Sequence, residues 1–121
     1  MMSKISPHFS REEFSCNCGC GFDAIHLPLL EMLEKIRVHF GKPLKTTSVN
    51  RCLDHNRRCN SKDTSQHVRG VAADIKMKGV TPQELYDYIQ ESIDPNGLGI
   101  YKTWIHIDDR TGSYARWDKR T

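Results

Sequence analysis

The spacing of apolar residues predicts two amphipathic helices. The first runs from about Leu27 to Phe40, ends at the C-cap candidate Gly41, and cannot continue through Pro43. Its apolar positions recur every three or four residues and should face a core: Leu29, Met32, Leu33, Ile36 and Phe40. The second opens at Thr81-Pro82-Gln83-Glu84, a capping box with proline at N1. A second capping box, Ser10 with Glu13, predicts a short helical turn near Phe14.

Alternating and short apolar runs predict four strands. They are Leu44 to Val49, Val71 to Lys76, Leu98 to Tyr101 and Trp104 to Asp108, the last two joined as a hairpin across Lys102-Thr103. This order of elements predicts one α+β domain over residues 1–121, an antiparallel sheet with helices packed on one side. Residues 50–66 are polar and basic and predict a long loop with room for one helical turn. A loop of that length in a small domain is typical of function or disorder.

Composition narrows the class of protein. The 121 residues are 37% hydrophobic and 27% charged, which is typical of a soluble globular domain. A net charge of +3 does not argue for nucleic acid, although it suits an anionic polymer such as a bacterial wall. No apolar run is long enough to span a membrane, and the first residues carry no signal-peptide pattern. We therefore expect a monomer made in a cytoplasm, which needs another exit if it acts outside.

Five cysteines are many for such a chain, and three of them cluster as Cys16-Asn17-Cys18-Gly19-Cys20. The other two are Cys52 and Cys59, and the odd total excludes complete internal pairing. The favoured interpretation is a tight turn with free thiols or one disulfide, and the alternative is a second metal site or a redox module.

Two fragments of sequence carry candidate metal ligands. His67 and Asp74 lie in Ser65-Gln66-His67-Val68-Arg69-Gly70-Val71-Ala72-Ala73-Asp74, and His106 lies in Trp104-Ile105-His106-Ile107-Asp108. Two imidazoles and one carboxylate would make a zinc site with a fourth position open. Strand alternation puts Trp104, His106 and Asp108 on one face, away from the two isoleucines. Surface histidines and an ion pair between Asp74 and Lys76 are the plainer interpretation, because the spacing is not that of an HExxH helix.

Ser-x-His, then Gly70 and Ala72-Ala73-Asp74, then His-x-Asp, together resemble the zinc D-alanyl-D-alanine peptidase family, which shares its fold with the hedgehog signalling domain. The resemblance extends over nearly the whole chain to Arg116-Trp117, and a small subgroup of bacterial and bacteriophage wall peptidases is the most similar. It implies that His67, Asp74 and His106 bind Zn²⁺, which activates a water for attack on a peptide bond.

The resemblance also bears on the residues around the metal. Many relatives have an acid three positions before the last histidine, where this chain has Thr103, so we expect Asp108 to be the general base. The alternatives are that Asp108 orients His106 or acts as a further ligand, and Asp109 is a weaker candidate base. Arg51 stands where the family has an arginine, in Ser48-Val49-Asn50-Arg51, and is expected to bind a substrate carboxylate or the oxyanion. Ser65, Gln66 and Trp104 are predicted to contact substrate, and Ser65 and Gln66 to shape the turn that aims His67.

The resulting hypothesis is a zinc metallopeptidase that hydrolyses peptidoglycan stem peptides, either as a D-Ala carboxypeptidase or as an endopeptidase of the phage endolysin type. A chain of this kind would act at the bacterial wall and is expected to come from a phage or prophage. The alternative is a non-catalytic zinc-binding module of the same fold, used for recognition or virion structure. The change to Thr103 favours that alternative.

Overall fold

The computed structural model describes residues 4–59, 61 and 65–120. In this part of the chain, three α-helices and five β-strands follow a 3-10 turn at Arg11–Phe14. In chain order they are α1 (Leu27–Phe40), β1 (Lys45–Ser48), α2 (Leu53–Arg58), β2 (Ala72–Lys76), α3 (Pro82–Ser92), β3 (Gly97–Tyr101), β4 (Ile105–Asp108) and β5 (Ala115–Lys119). Both predicted long helices and all four predicted strands are present. No strand end differs from its predicted position by more than one residue. None of the helices described is long and apolar enough to cross a lipid bilayer.

The five strands form one sheet in the order β1-β2-β4-β3-β5. The first four are antiparallel, as predicted, and β3 and β4 form the predicted hairpin. The sheet is nevertheless mixed, because β5 pairs parallel to β3. No strand was predicted at Ala115–Lys119: an edge strand that is mostly polar lacks the apolar alternation by which strands are detected.

The core lies on one face of this sheet, under α1 and α3. Fully buried side chains come from α1, from α3 and from alternate positions of the strands: Leu29, Leu33, Ile36, Leu85, Ile89, Ala73, Ile75, Leu98, Ile105 and Ile107. This arrangement confirms an α+β fold with these two helices on one side. It also turns the intervening residues of β2 and β4 to the opposite face, where the candidate site lies.

Two of the three predicted helix signals form as expected. The left-handed φ of 64° at Gly41 ends α1, and the Thr81 hydroxyl and Glu84 carboxylate each bind the other's backbone N–H at 3.1 Å. The capping box at Ser10 does not form, although the short helical turn predicted near Phe14 is present at Arg11–Phe14. The Ser10 hydroxyl donates to the Glu13 carboxylate at 3.3 Å, and the backbone closes a 3-10 turn instead.

The predicted loop at 50–66 contains the six-residue helix α2. Its N-cap is Cys52, whose sulfur accepts a hydrogen bond from the backbone N–H of His55 at 3.4 Å. Residues 60 and 62–64 of the predicted loop lie outside the described residues. The helix stands at the end of β1, next to the turn that carries His67, so the polar loop is a support for the site.

Candidate functional site

The pairing of β2 with β4 brings Asp74 and His106 side by side. The two residues are Cα partners in the antiparallel register, and the next pair along, Ile75 and Ile105, belongs to the core. Because side chains alternate along a strand, Asp74 and His106 share the opposite face. His67 reaches the same place from a turn that ends at the start of β2. The sheet therefore sets two of the three predicted ligands, and the turn supplies the third.

These three side chains lie close enough together to hold one metal ion. The Asp74 Oδ1 atom is 3.2 Å from His67 Nε2 and 3.1 Å from His106 Nδ1, and all three atoms lie within 4.8 Å of one another. Zinc–nitrogen and zinc–oxygen bonds of about 2.0–2.2 Å in a tetrahedron separate two ligand atoms by about 3.4 Å. Both histidines are nearly buried, which suits ligands of a fixed geometry.

Hydrogen bonds to the far side of each ring decide which nitrogen faces Asp74. His67 Nδ1 lies 2.7 Å from the carbonyl oxygen of Val49, which can only accept, so Nδ1 carries the proton. His106 Nε2 lies 2.7 Å from Asp108 Oδ2 and donates to it. A neutral ring then presents a bare nitrogen to Asp74 in each case. Three electron-rich atoms that converge in this way require protons or a cation between them, and zinc fits that donor set.

The convergence of these side chains shifts the pKa values of Asp74 and His106. Burial raises the pKa of Asp74, but hydrogen bonds from His106 and His67 outweigh it and hold the pKa well below its ordinary value. Burial lowers the pKa of His106, and the bonds to Asp108 and Asp74 more than reverse this, so its pKa is raised. In the protein without metal, these bonds therefore favour the protonated form of His106, in the place where a cation would sit.

Asp108 is fully buried behind His106. Besides the bond from His106, its two oxygens accept three from Arg110: from Nε at 2.8 Å, from Nη2 at 2.7 Å and from the backbone N–H at 3.0 Å. Burial raises the pKa of Asp108, and the Arg110 and His106 bonds outweigh it, so the carboxylate stays ionised. Gly97 leaves the space for it, because a Cβ there would overlap with this carboxylate. These contacts favour a role in holding His106 and speak against Asp108 as a base, which stays an untested prediction.

Comparison with known families adds an independent finding. A family model described as Peptidase M15 matches residues 7–108, most of the chain. The chain belongs to the peptidase M15 family. Searches of curated proteins and of solved structures gave no match. M15 proteins are zinc metallopeptidases, so the membership and the ligand geometry agree on a metallopeptidase that can hold a metal at His67, Asp74 and His106.

In this M15 protein, Arg51 is bound to the ligand Asp74. Its Nη2 donates to Asp74 Oδ2 at 3.3 Å, while Nε and Nη1 donate to Ser48 Oγ and Asn56 Oδ1 at 3.1 and 3.2 Å. Arg51 thus turns the other oxygen of Asp74 towards the histidines. A guanidinium has five N–H groups, so within the described part of the chain two stay available to a ligand. Arg51 also lines the cleft, as a residue that binds substrate must.

The three candidate ligands lie in an open cleft of about 710 Å³. The lining includes the predicted substrate residues Ser65, Gln66 and Trp104. Ser65 Oγ accepts the backbone N–H of His67 at 3.3 Å, and the Gln66 carbonyl accepts that of Val71 at 3.3 Å. Both residues therefore shape the turn that carries His67, whereas contact with substrate stays a prediction for all three.

One wall of the cleft is aromatic. The Trp104 ring stacks on Tyr101 with centroids 4.4 Å apart, and the Tyr101 hydroxyl accepts from the Trp117 indole at 3.0 Å. The Trp117 ring lies 5.0 Å from that of His106, and the guanidinium of Arg110 lies 5.3 Å from the Trp117 ring centre. Gly99 on β3 makes the room, since a Cβ there would overlap with the Trp117 indole.

Two residues weighed for the acid–base role lie elsewhere. Thr103 faces a different groove, on the side of the molecule that holds Lys4 and Lys78. Asp109 binds His26 Nε2 at 2.6 Å and is not part of the cleft lining. Of the described residues that line the cleft, Asp74 is the one carboxylate.

Sequence reasoning missed Arg110 and the two glycines of β3. Arg110 follows Asp108 by two residues, a spacing that any surface ion pair can have, so it carried no signal. The glycines could have been noticed: Gly97 and Gly99 alternate along a predicted strand, and glycine within a strand is typical of a close approach by another group.

Proposed function

We propose that this M15 protein is a zinc-dependent peptidase that hydrolyses peptidoglycan stem peptides at or next to a D-amino acid. The observation that carries the proposal is the convergence of His67 Nε2 and His106 Nδ1 on Asp74 Oδ1. Zinc bound there would polarise a peptide carbonyl and acidify a water molecule. Three protein ligands leave a position open, as a catalytic site requires.

The charge of the cleft supports an anionic substrate. Its described lining holds four strongly basic residues against the single carboxylate of Asp74: Arg51, Arg69, Arg110 and Lys119. Stem peptides carry free carboxylates, which arginine binds through paired hydrogen bonds. The two unused N–H groups of Arg51 lie on a residue that already touches a ligand, so a carboxylate held there would place its peptide bond beside the metal. The aromatic wall of Trp104 and Tyr101 would pack against the rest of the substrate.

Asp108 is given a positioning role in this proposal. It accepts a hydrogen bond from the Nε2–H of His106, which leaves the other ring nitrogen without a proton and available to the metal. Arg110 in turn donates to both oxygens of Asp108. A chain of contacts thus runs from Arg110 through Asp108 to His106 and would orient that histidine as a ligand.

A second candidate function is a non-catalytic zinc module of the same fold. The absence of a carboxylate other than Asp74 from the described cleft lining favours it, since peptide hydrolysis needs a group that accepts and returns a proton. The two functions differ in whether the zinc-loaded protein cleaves anything.

The test is digestion of purified peptidoglycan by the zinc-loaded protein, followed by mass spectrometry of the muropeptides. We expect either loss of a terminal D-Ala or cleavage within the stem, which distinguishes carboxypeptidase from endopeptidase. His67→Ala should give no product. His8→Ala is the matched control, because His8 is exposed and binds Glu34, far along the chain from the cleft residues. Absence of product from the zinc-loaded wild type would contradict the enzymatic proposal and favour the module.

A further inference from the structure

Four of the five cysteines converge at a second place, outside the cleft. Cys16, Cys18 and Cys20 come from the loop before α1, and Cys52 begins α2. Their sulfur atoms all lie within 4.8 Å of one another, with separations of 3.4 Å for Cys16–Cys18, 3.6 Å for Cys18–Cys52 and 3.9 Å for Cys16–Cys52. No disulfide joins any of the five cysteines.

We propose that Cys16, Cys18, Cys20 and Cys52 bind a structural zinc ion. A zinc–sulfur bond of about 2.3 Å in a tetrahedron separates two sulfurs by about 3.8 Å, and the three measured separations lie around that value. Four thiolates complete the coordination and leave no position for substrate. The soft sulfur donors select zinc over magnesium or calcium. The site is thus the closed counterpart of the open site at His67.

Backbone hydrogen bonds prepare the sulfurs for negative charge. The N–H of Cys52 donates to Cys16 Sγ at 3.4 Å, and the N–H of His55 donates to Cys52 Sγ at 3.4 Å. Backbone bonds from Cys16 to Phe22 and from Gly19 to Cys16 fold the loop around the cluster.

The position of the cluster indicates what the ion would do. Cys52 directly follows Arg51, whose backbone N–H binds the His67 carbonyl at 3.1 Å and whose side chain binds Asp74. The neighbouring Asn50 amide donates to the carbonyls of Phe14 and Ala24, both at 2.7 Å. A metal at the cysteines would therefore fasten the 16–20 loop to the segment that supports the open site. The fifth cysteine, Cys59, is exposed and outside the cluster.

The first test is zinc content. The full chain is purified under reductant with zinc, excess metal is removed, and zinc per chain is measured by mass spectrometry of the elements. We expect one zinc for each site in the wild type. Cys18→Ser with Cys20→Ser, which changes the two most exposed ligands, should lose one of them, whereas the control Cys59→Ser should keep both. His67→Ala should lose the other zinc and retain the one at the cysteines. Full zinc content in the double cysteine variant would overturn the proposal.

Cobalt substitution of the wild type keeps the test valid if the double variant fails to fold. Cobalt bound by thiolates gives intense sulfur-to-metal charge-transfer bands, which histidine and carboxylate ligands do not give. We expect these bands, together with four thiols that react with a thiol reagent only after a chelator is added, and one that reacts before. A single bound cobalt with those bands would support the cysteine site and contradict the site at His67. A metal without the bands, or five thiols reactive from the start, would overturn the cysteine site.

Discussion

The two candidate metal sites are built from the chain in opposite ways. At the open site, Asp74 and His106 are partners across two paired strands, so the backbone ladder fixes their separation. At the cysteine site, three of the four residues lie at two-residue spacing in a loop without helix or strand, and the fourth begins the short helix α2. The paired strands hold Asp74 and His106 in place with or without a metal, whereas the loop is held by turn hydrogen bonds, such as that from the Cys16 N–H to the Phe22 carbonyl at 2.7 Å.

Two metal ions, one at each site, would therefore have different roles in this small domain. Chemistry requires ligands held in a fixed arrangement with a coordination position left open, and rigid strands supply that. A loop gains most from a closed set of four ligands, because the binding free energy of the metal becomes folding free energy. The open site should thus control activity, and the cysteine site should control stability.

We expect the largest effect from His67→Ala, which also tests whether activity and stability depend on separate sites. The variant should lose about a thousandfold or more in peptidase activity, since a metal supplies several kcal/mol to the barrier. Its melting temperature with zinc should stay close to that of the wild type, because the cysteine site is intact. Activity is measured by muropeptide release and stability by thermal unfolding, with His8→Ala as control. A variant that unfolds would show that the open site also carries the fold.

Asp108→Asn tests whether the rigidity of the open site extends to the residue behind His106. Loss of this oriented carboxylate should weaken zinc affinity by about 10–100-fold, as is usual for groups that hold a metal ligand. If Asp108 only positions His106, saturating zinc restores most of the activity. Competition with a chelator gives the affinity, and activity is followed over a zinc titration. Activity that stays low at full occupancy would instead favour Asp108 as the general base.

As the pH falls, zinc should leave the open site at a higher pH than it would if His106 had the ordinary pKa of a histidine. The pKa of His106 is raised in the metal-free protein, so zinc must displace a proton there, and affinity should weaken as pH falls through that raised value. The stability of the metal-free protein should depend on pH in the opposite direction. The protonated histidine stabilises it below the ordinary pKa of about 6.5, and this stability is lost as pH rises through the raised pKa.

Chelator competition measures the zinc affinity of each site separately. His67→Ala retains the cysteine site, and the double cysteine variant retains the open site. Asp108→Asn removes a group that raises the pKa of His106, so its profile should move to lower pH. An unmoved profile would show that another group sets the titration.

The smallest effect is expected from Gly97→Ala. A Cβ at this position would overlap with the Asp108 carboxylate, so we expect a loss of about 1–3 kcal/mol in the free energy of unfolding and a weaker zinc affinity. Gly99→Ala is the matched variant, because its Cβ would overlap with Trp117 and leave Asp108 alone. It should cost similar stability with little change in zinc affinity. Equal loss of affinity in both variants would contradict a specific role for the space at Gly97.

Local sequence signals predicted the parts of the fold that local physics determines. The helix over Leu27–Phe40, its end at Gly41 and the capping box at Thr81 depend on neighbours within four residues, and each is present. Ser10 shows the limit of such signals. Its hydroxyl donates to the Glu13 carboxylate, and the Glu13 backbone N–H binds the Ser10 carbonyl at 3.2 Å instead of the hydroxyl.

Features that depend on distant pairs were harder to predict. The parallel pairing of β5 with β3 is set by the sheet edge, and the polar residues of Ala115–Lys119 do not reveal it. The meeting of Cys52 with Cys16 depends on how α1 and β1 bring the chain back over 36 residues. At the site, strand alternation predicted that Asp74 and His106 could meet, but the assignment of Asp108 depended on Arg110, which occupies both of its oxygens.

The strand β5 has a consequence for how this domain can diversify. The family match covers residues 7–108, which include all three ligands of the open site, whereas Trp117 and Arg110 lie beyond it. One side of the cleft is therefore contributed by a segment that is separate in sequence from the metal ligands. Exchange of β5, which carries Trp117 and Lys119 but none of the three candidate ligands, would alter which molecules the cleft admits, whereas Arg110 must be kept because it binds Asp108 behind His106.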